Sequence, residues 1–245
     1  MNTRYLVLEL RRLLRSSRFL IFTLAMPAVL LLVFTGLYGG AGATFPNGIP
    51  VSTGLMINMA TYAAMTAPLF TGTRVATERG TGWQRQLRLT PLSSTAYLLT
   101  KGLTALLIAV PGLVLVGAIG ALVEGVRLSA GQWLGVLGGV WLAAIPVAML
   151  GLAIGLLANQ DTVQPVGSGL MMLFGLLGGV WVPAEAAPDW MLGIMRVMPT
   201  YWMNQVAKAP LLADAALGRA VLVLAGWTVL LGLVGAWRFR TATAR

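Results

Sequence analysis

The stretch FLIFTLAMPAVLLLVFTGLYGG, residues 19–40, runs for twenty-two residues without a charged side chain. About 20 apolar residues in helical form cross a hydrocarbon core of about 30 Å, so this run predicts a membrane-spanning helix. It lacks the short apolar core and small-residue cleavage site of a removable leader, and is expected to remain as the first span. Five more stretches read the same way: Val51 to Thr73, Tyr97 to Val123, Gln132 to Ala158, Val163 to Val182 and Ala220 to Trp237. Apart from Lys101, none contains Asp, Glu, Lys or Arg. The expected fold class is therefore an all-α integral membrane protein with six transmembrane helices, residues 1–245 forming one transmembrane domain.

Composition agrees. Of 245 residues, 58% are hydrophobic and 10% charged, with mean hydropathy +0.83, whereas soluble domains carry about 25% charged residues. There is no cysteine and no histidine, which excludes disulfides, thiol nucleophiles and the commonest metal ligand; no metal site is expected. The net charge of +10 reads as a membrane pattern rather than a nucleic-acid surface, because the cations flank the spans. Arg4, Arg11, Arg12, Arg15 and Arg18 come before the first span, Arg74, Arg79, Arg85, Arg88 and Lys101 between the second and third, and Arg238, Arg240 and Arg245 after the last. Arg127, Arg196, Lys208 and Arg219 fall on the other side with Glu124, Glu185, Asp189 and Asp214. Positive-inside bias then places both termini in the cytoplasm, which an even number of spans allows.

Within residues 1–18, Arg4, Arg11, Arg15 and Arg18 share one side of a helix, and Leu6, Leu10, Leu13 and Leu14 the other. This predicts an interfacial helix on anionic lipid; a solvated basic leader is the plainer alternative. Glycines recur four apart at Gly36/Gly40, Gly135/Gly139, Gly151/Gly155 and Gly175/Gly179, a spacing that lets helix backbones approach within a bundle or between subunits.

The segment RVATERGTGWQRQLRLTPLSSTAYLLTK, residues 74–101, is more than a connector. Thr81 and Gln84 have capping-box spacing, so a short helix can begin near Gly82; Pro91 disfavours helix at Thr90 and ends it; Ser93 or Ser94 can cap the next span. On that helix Trp83 and Leu87 share a face, while Arg85 and Arg88 project elsewhere. Such a knob, residues 74–96, suits docking into a partner's groove, or is a basic loop resting on lipid headgroups.

Glu78-Arg79, Gly82, the run LRLTPLS from Leu87 to Ser93, and Tyr97-Leu98-Leu99-Thr100-Lys101 together resemble the signature of ABC-2 type transporter permeases, and the order of elements along the whole chain is similar. One departure is Thr100-Lys101, where many such permeases have Gly-Lys. The resemblance implies that residues 74–96 form a coupling helix seated in an ATPase subunit, with Glu78, Arg79, Gly82, Trp83, Arg85, Leu87, Arg88, Thr90 and Pro91 contacting or orienting toward it. It also implies a bacterial plasma-membrane exporter that pairs with a second permease copy or homologue and with two nucleotide-binding subunits. ATP and Mg would be bound by those partners; no cofactor is expected in this chain.

Residues 183–219, between the fifth and sixth spans, are too polar and proline-rich to cross. Pro188-Asp189 can open a short helix bearing Trp190, ending at Pro199, and Thr200 can cap another bearing Tyr201 and Trp202. By resemblance these are re-entrant helices forming an external gate; by composition alone they are an interfacial aromatic belt. Asn58, Thr61, Tyr62 and Met65 recur at helical spacing on the second span, and Gln164, Ser168, Met171, Met172 and Phe174 give the fifth a soft, adaptable face. These two faces are candidates for a substrate path; simple packing explains each residue equally well.

No GxxxxGK[ST] loop occurs in the sequence, so ATP hydrolysis by that route needs another polypeptide. Proton- or ion-driven transport generally requires intramembrane acids or bases, which these spans hardly contain. The expected function is the permease subunit of an ATP-driven exporter of hydrophobic or amphipathic compounds, drug efflux being the preferred case. The rival readings are an ATP-independent capture subunit, channel or scaffold, and a lipid-modifying enzyme for which no catalytic motif is present.

Overall fold

A computed structural model describes residues 3–40, 42–82, 94–213 and 216–243. Among these the chain is helical, with one isolated antiparallel bridge, Thr44 to Pro50. Helix α1 spans Thr3–Leu14 and α2 Ser17–Leu20; a π-helical turn, Ile21–Ala25, leads into α3, Met26–Tyr38. The wide turn has a local cause. Pro27 has no N–H for the Thr23 carbonyl four residues back and its ring would collide with it, so Met26 N–H reaches to Ile21 instead.

Helix α4, Val51–Gly80, is followed by α5, Ser94–Leu107, and α6, Val110–Leu122, then α7, Ala130–Ala143, and α8, Ile145–Leu157. Each of the last two pairs forms one long path interrupted just ahead of a proline, Pro111 or Pro146. At the first break the Trp141 indole donates to the Leu106 carbonyl at 2.9 Å. Ser129 and Gln132 form a capping box that opens α7, and Asn159 with Thr162 one that opens α9, Gln160–Leu177. Two short helices, α10 (Asp189–Met195) and α11 (Pro199–Lys208), precede α12, Leu217–Thr243.

Among the described residues four segments are helices long and apolar enough to cross a bilayer: Ile21–Tyr38, Leu99–Leu122, Ala130–Leu157 and Leu217–Gly235. They coincide with four of the six expected spans, and much of their outward surface is Leu and Val. The other two expected spans are also helices, α4 and α9, but less apolar. Burial explains the difference for α4. It is the core of the molecule, packed by α3, α6, α8, α9 and α11, and from Thr53 to Leu69 every residue is buried. A helix shielded from lipid on all sides needs no apolar coat. Thr66, Thr71, Thr73 and Thr77 each donate a hydroxyl to the carbonyl four residues back, closing their polarity within the helix; the single Thr61 proton is shared between the Ile57 carbonyl and a residue of a neighbouring helix.

Close approach of α4 and α8 depends on absent side chains. A Cβ at Gly72 would overlap the Gly151 carbonyl, one at Gly151 the Pro68 carbonyl, and one at Gly155 the Gly72 carbonyl. The Gly151/Gly155 pair is therefore a backbone-to-backbone seam within the bundle. Gly135 and Gly139 abut Pro210 and Val206, whereas Gly36 and Gly40 have open space where a Cβ would lie.

Helix α4 continues seven residues beyond Thr73, so the first part of the expected coupling segment is the end of this core helix. Thr81 caps it, and Gly82, at φ +76°, takes the left-handed conformation that commonly follows a helix C-terminus. Trp83, Arg85, Leu87, Arg88, Thr90 and Pro91 lie outside the described residues.

Candidate functional site

The densest polar structure lies where α1, the end of α4 and the start of α5 meet. Lys101 is wholly buried on α5, and its Nζ is 2.8 Å from Glu9 Oε2 on α1 and 2.7 Å from Glu78 Oε1 on α4. The Tyr97 hydroxyl, one turn before Lys101, donates to the second Glu78 oxygen at 2.9 Å, and Lys101 Nζ lies 5.5 Å from the Tyr97 ring centre. Three chain segments 92 residues apart at the extremes are thus joined by one ammonium group. Next to it Arg79 donates to the carbonyls of Gly155 and Leu156, occupying the acceptors left free at the end of α8. Gln160 Nε2, at the start of α9, donates to Thr77 O at 3.0 Å. Five helices converge at this end, where α4 ends at Gly80 and α5 begins at Ser94.

Glu78 and Arg79 therefore face the bundle. Glu9 is the participant that reading the sequence did not single out. Its signal was there: it is the one acid before Glu78, set among arginines, and an ionisable group such as Lys101 inside a span is expected to have a partner. Leu10 of α1 packs near Ala67, Ile108 and Ala109, so this face of α1 is turned to the bundle, while Val7 and Leu8 are exposed.

Deeper in the bundle, a groove between α4 and α9 is lined by Thr66, Leu69, Phe70, Thr73, Gln164, Gly167, Ser168 and Met171. It brings Ser168 and Met171 against α4, but at the turns after Met65. Asn58, Thr61, Tyr62 and Met65 are buried in the core. Thr61 donates to Asn204 Oδ1 on α11 at 2.7 Å, the Tyr62 ring lies 6.3 Å from Trp181, and both amide atoms of Asn58 are buried without a hydrogen-bond partner. Of the other fifth-span candidates, Met172 points outward and Phe174 is core.

At the far end α11 is set into the bundle against α4, α7 and α12. Asn204 also donates to the Gly179 carbonyl at 3.1 Å, and Thr200 to the Phe174 carbonyl at 3.2 Å. Trp202 is buried, its indole donating to Arg196 O at 2.7 Å, with Tyr201 edge-on to it; Pro199 is buried and Trp190 is 68% exposed. Lys208, buried, pairs with Glu185 at 2.7 Å, and Asn47 donates to the same oxygen at 2.9 Å. Both lysines of the chain are thus buried ion-pair partners, one at each end of the bundle.

A core helix with a charge-paired foot, held by an amphipathic N-terminal helix, is the setting in which the comparison with known proteins falls. Residues 5–212 match the ABC-2 type transporter family. The chain belongs to that family. It is also 28% identical, over 231 residues that make up 93% of this chain and 92% of the other, to a Bacillus subtilis (strain 168) protein named "Putative transport permease YvfS". A multi-pass transporter permease follows from the family and the apolar helices together, and family membership implies partnering with an ATPase subunit.

Proposed function

We propose that this chain is the membrane-spanning subunit of an ATP-driven exporter, taking its energy from separate ATPase subunits that bind ATP and Mg. The observation that carries the reading is the Glu9–Lys101–Glu78 junction. It ties α1, the end of α4 and the start of α5 into one unit, so a push on the segment that connects α4 to α5 in the sequence would reach the core helix without loss in a loose joint. Trp83 and Leu87 would anchor in the ATPase, with Arg85 and Arg88 as charged flanks. In this reading α4 and α9 complete six spans, both termini are cytoplasmic, α10 and α11 re-enter from outside as the gate, and a second permease copy or homologue completes the pathway. The α4–α9 groove supplies a mainly apolar path with few polar points, suited to a hydrophobic or amphipathic compound such as a drug, antibiotic or lipid.

The test is purification of the tagged chain from its native host in mild detergent, with identification of copurifying proteins and ATP hydrolysis measured beside an Arg85→Ala, Arg88→Ala variant. The expected result is a stoichiometric nucleotide-binding subunit whose retention or activity falls in the variant. Absence of any ATPase under several extraction conditions would replace this reading with an ATP-independent capture subunit, channel or scaffold.

A further inference from the structure

Helices α5 and α12 both pack onto α8, and a partly open crevice of about 510 Å³ is lined by residues of all three. Every residue lining it is aliphatic, methionine or glycine, among them Leu99, Leu103, Met149, Leu156, Leu231 and Gly232. The crevice is partly open and its lining is almost wholly apolar, and its size falls within the range of small-molecule pockets. Its glycines are informative. Gly72, Gly151 and Gly155 lack side chains because another backbone occupies the space, whereas a Cβ at Gly232 or Gly235 would meet nothing within 4 Å. On α12 the missing side chains widen a slot instead of closing a seam.

The slot lies in the half of the bundle that carries the Lys101 junction. Beyond its last lining residue, Gly235, the sequence of α12 continues to Arg238 and Arg240. An apolar slot that ends beside cationic sequence complements a molecule with a long hydrocarbon tail and an anionic head. We propose that this crevice holds an acyl chain of an anionic bilayer phospholipid, seated between α5 and α12, with its phosphate at the arginine-bearing end. The inference needs only the membrane setting of the chain and is independent of the ATPase.

The full-length chain is reconstituted in nanodiscs of phosphatidylcholine containing a minor fraction of phosphatidylglycerol with a diazirine in its acyl chain, then irradiated and mapped by mass spectrometry. Label is expected on Leu99–Leu106, Ile145–Leu156 and Leu231–Gly235, displaced by excess unlabelled phosphatidylglycerol but not by phosphatidylcholine. A Gly232→Leu, Gly235→Leu variant, which fills the slot, should lose about tenfold of that label, while Gly226→Leu, on the same helix outside the slot, should keep it. Label spread over all exposed apolar surface, including Val29 and Val33 of α3, would overturn the proposal. So would equal displacement by phosphatidylcholine, or absence of label from all three segments. Should the double variant fail to fold, label position and displacement in the unaltered chain decide.

Discussion

Replacing Lys101 by methionine removes the one cation that two buried carboxylates share. At 2.8 and 2.7 Å and an effective dielectric constant of about 20, each pair is worth roughly 6 kcal/mol of attraction. Repulsion between the carboxylates and the desolvation of three charges, several kcal/mol per ion, offset most of that in the intact protein. Removal of the ammonium leaves the costs and deletes the attraction, so Lys101→Met should destabilise the chain by about 3–5 kcal/mol, the range for a broken buried pair. At roughly 2–4 °C per kcal/mol for a chain of this size, the unfolding midpoint should drop by about 6–20 °C, followed by tryptophan fluorescence in nanodiscs. The companion variant Glu9→Met, Lys101→Met, Glu78→Gln leaves no unpaired charge and keeps an acceptor for Tyr97, so it should recover most of the loss. A single variant melting within about 2 °C of the parent, or a triple variant as unstable as the single one, would refute the claim that these three charges stabilise one another.

Four further outcomes are expected. Gly151→Leu should force α4 and α8 apart and cost at least about 3 kcal/mol, seen as loss of folded protein in fluorescence-detected size exclusion. A double-mutant cycle of Thr61→Val with Asn204→Leu should give a coupling of about 0.6–1.7 kcal/mol in thermal unfolding, the scale of side-chain hydrogen bonds between helices in membranes; zero coupling would remove that bond from the account of α11. Lys208→Met should destabilise by about 3 kcal/mol or more, with Glu185→Gln restoring much of it, the same chemistry at the opposite end. Trp202→Ala should cost about 3–5 kcal/mol while Trp190→Ala leaves the midpoint unchanged, because one ring is core and the other is 68% exposed.

The helices were legible because charge-free runs of bilayer length have few other uses; their interruptions at Pro27, Pro111 and Pro146 were not read from the sequence, where each span reads as one continuous run. The place of each helix was less so. The polar side chains of α4 read as a path lining, whereas Thr61 and its neighbours mostly close on their own backbone and on Asn204, and the groove with α9 lies at later turns. Hydropathy reports how much a helix needs lipid, not which helix the others surround. Pairing was hidden too: nothing local to Glu9 points to Lys101, and the contact exists only once α1 folds back against α4 and α5. A buried charge demands a partner but does not name it. The coupling residues Trp83, Arg85, Leu87, Arg88, Thr90 and Pro91 stand on sequence pattern and resemblance.

The continuity of α4 has a mechanical consequence. Thirty residues at about 1.5 Å each make a strut about 45 Å long, clamped by Lys101 at its foot, seamed to α8 at its middle and hydrogen-bonded to α11 through Thr61 toward its head. A tilt of only about 5° at the foot swings the far end by about 4 Å and moves Thr61, about 26 Å from Glu78, by about 2 Å. Added along the 2.7 Å Thr61–Asn204 contact, that is beyond hydrogen-bond reach, so a small angular input at the foot is enough to break a contact with α11 most of the way along the strut.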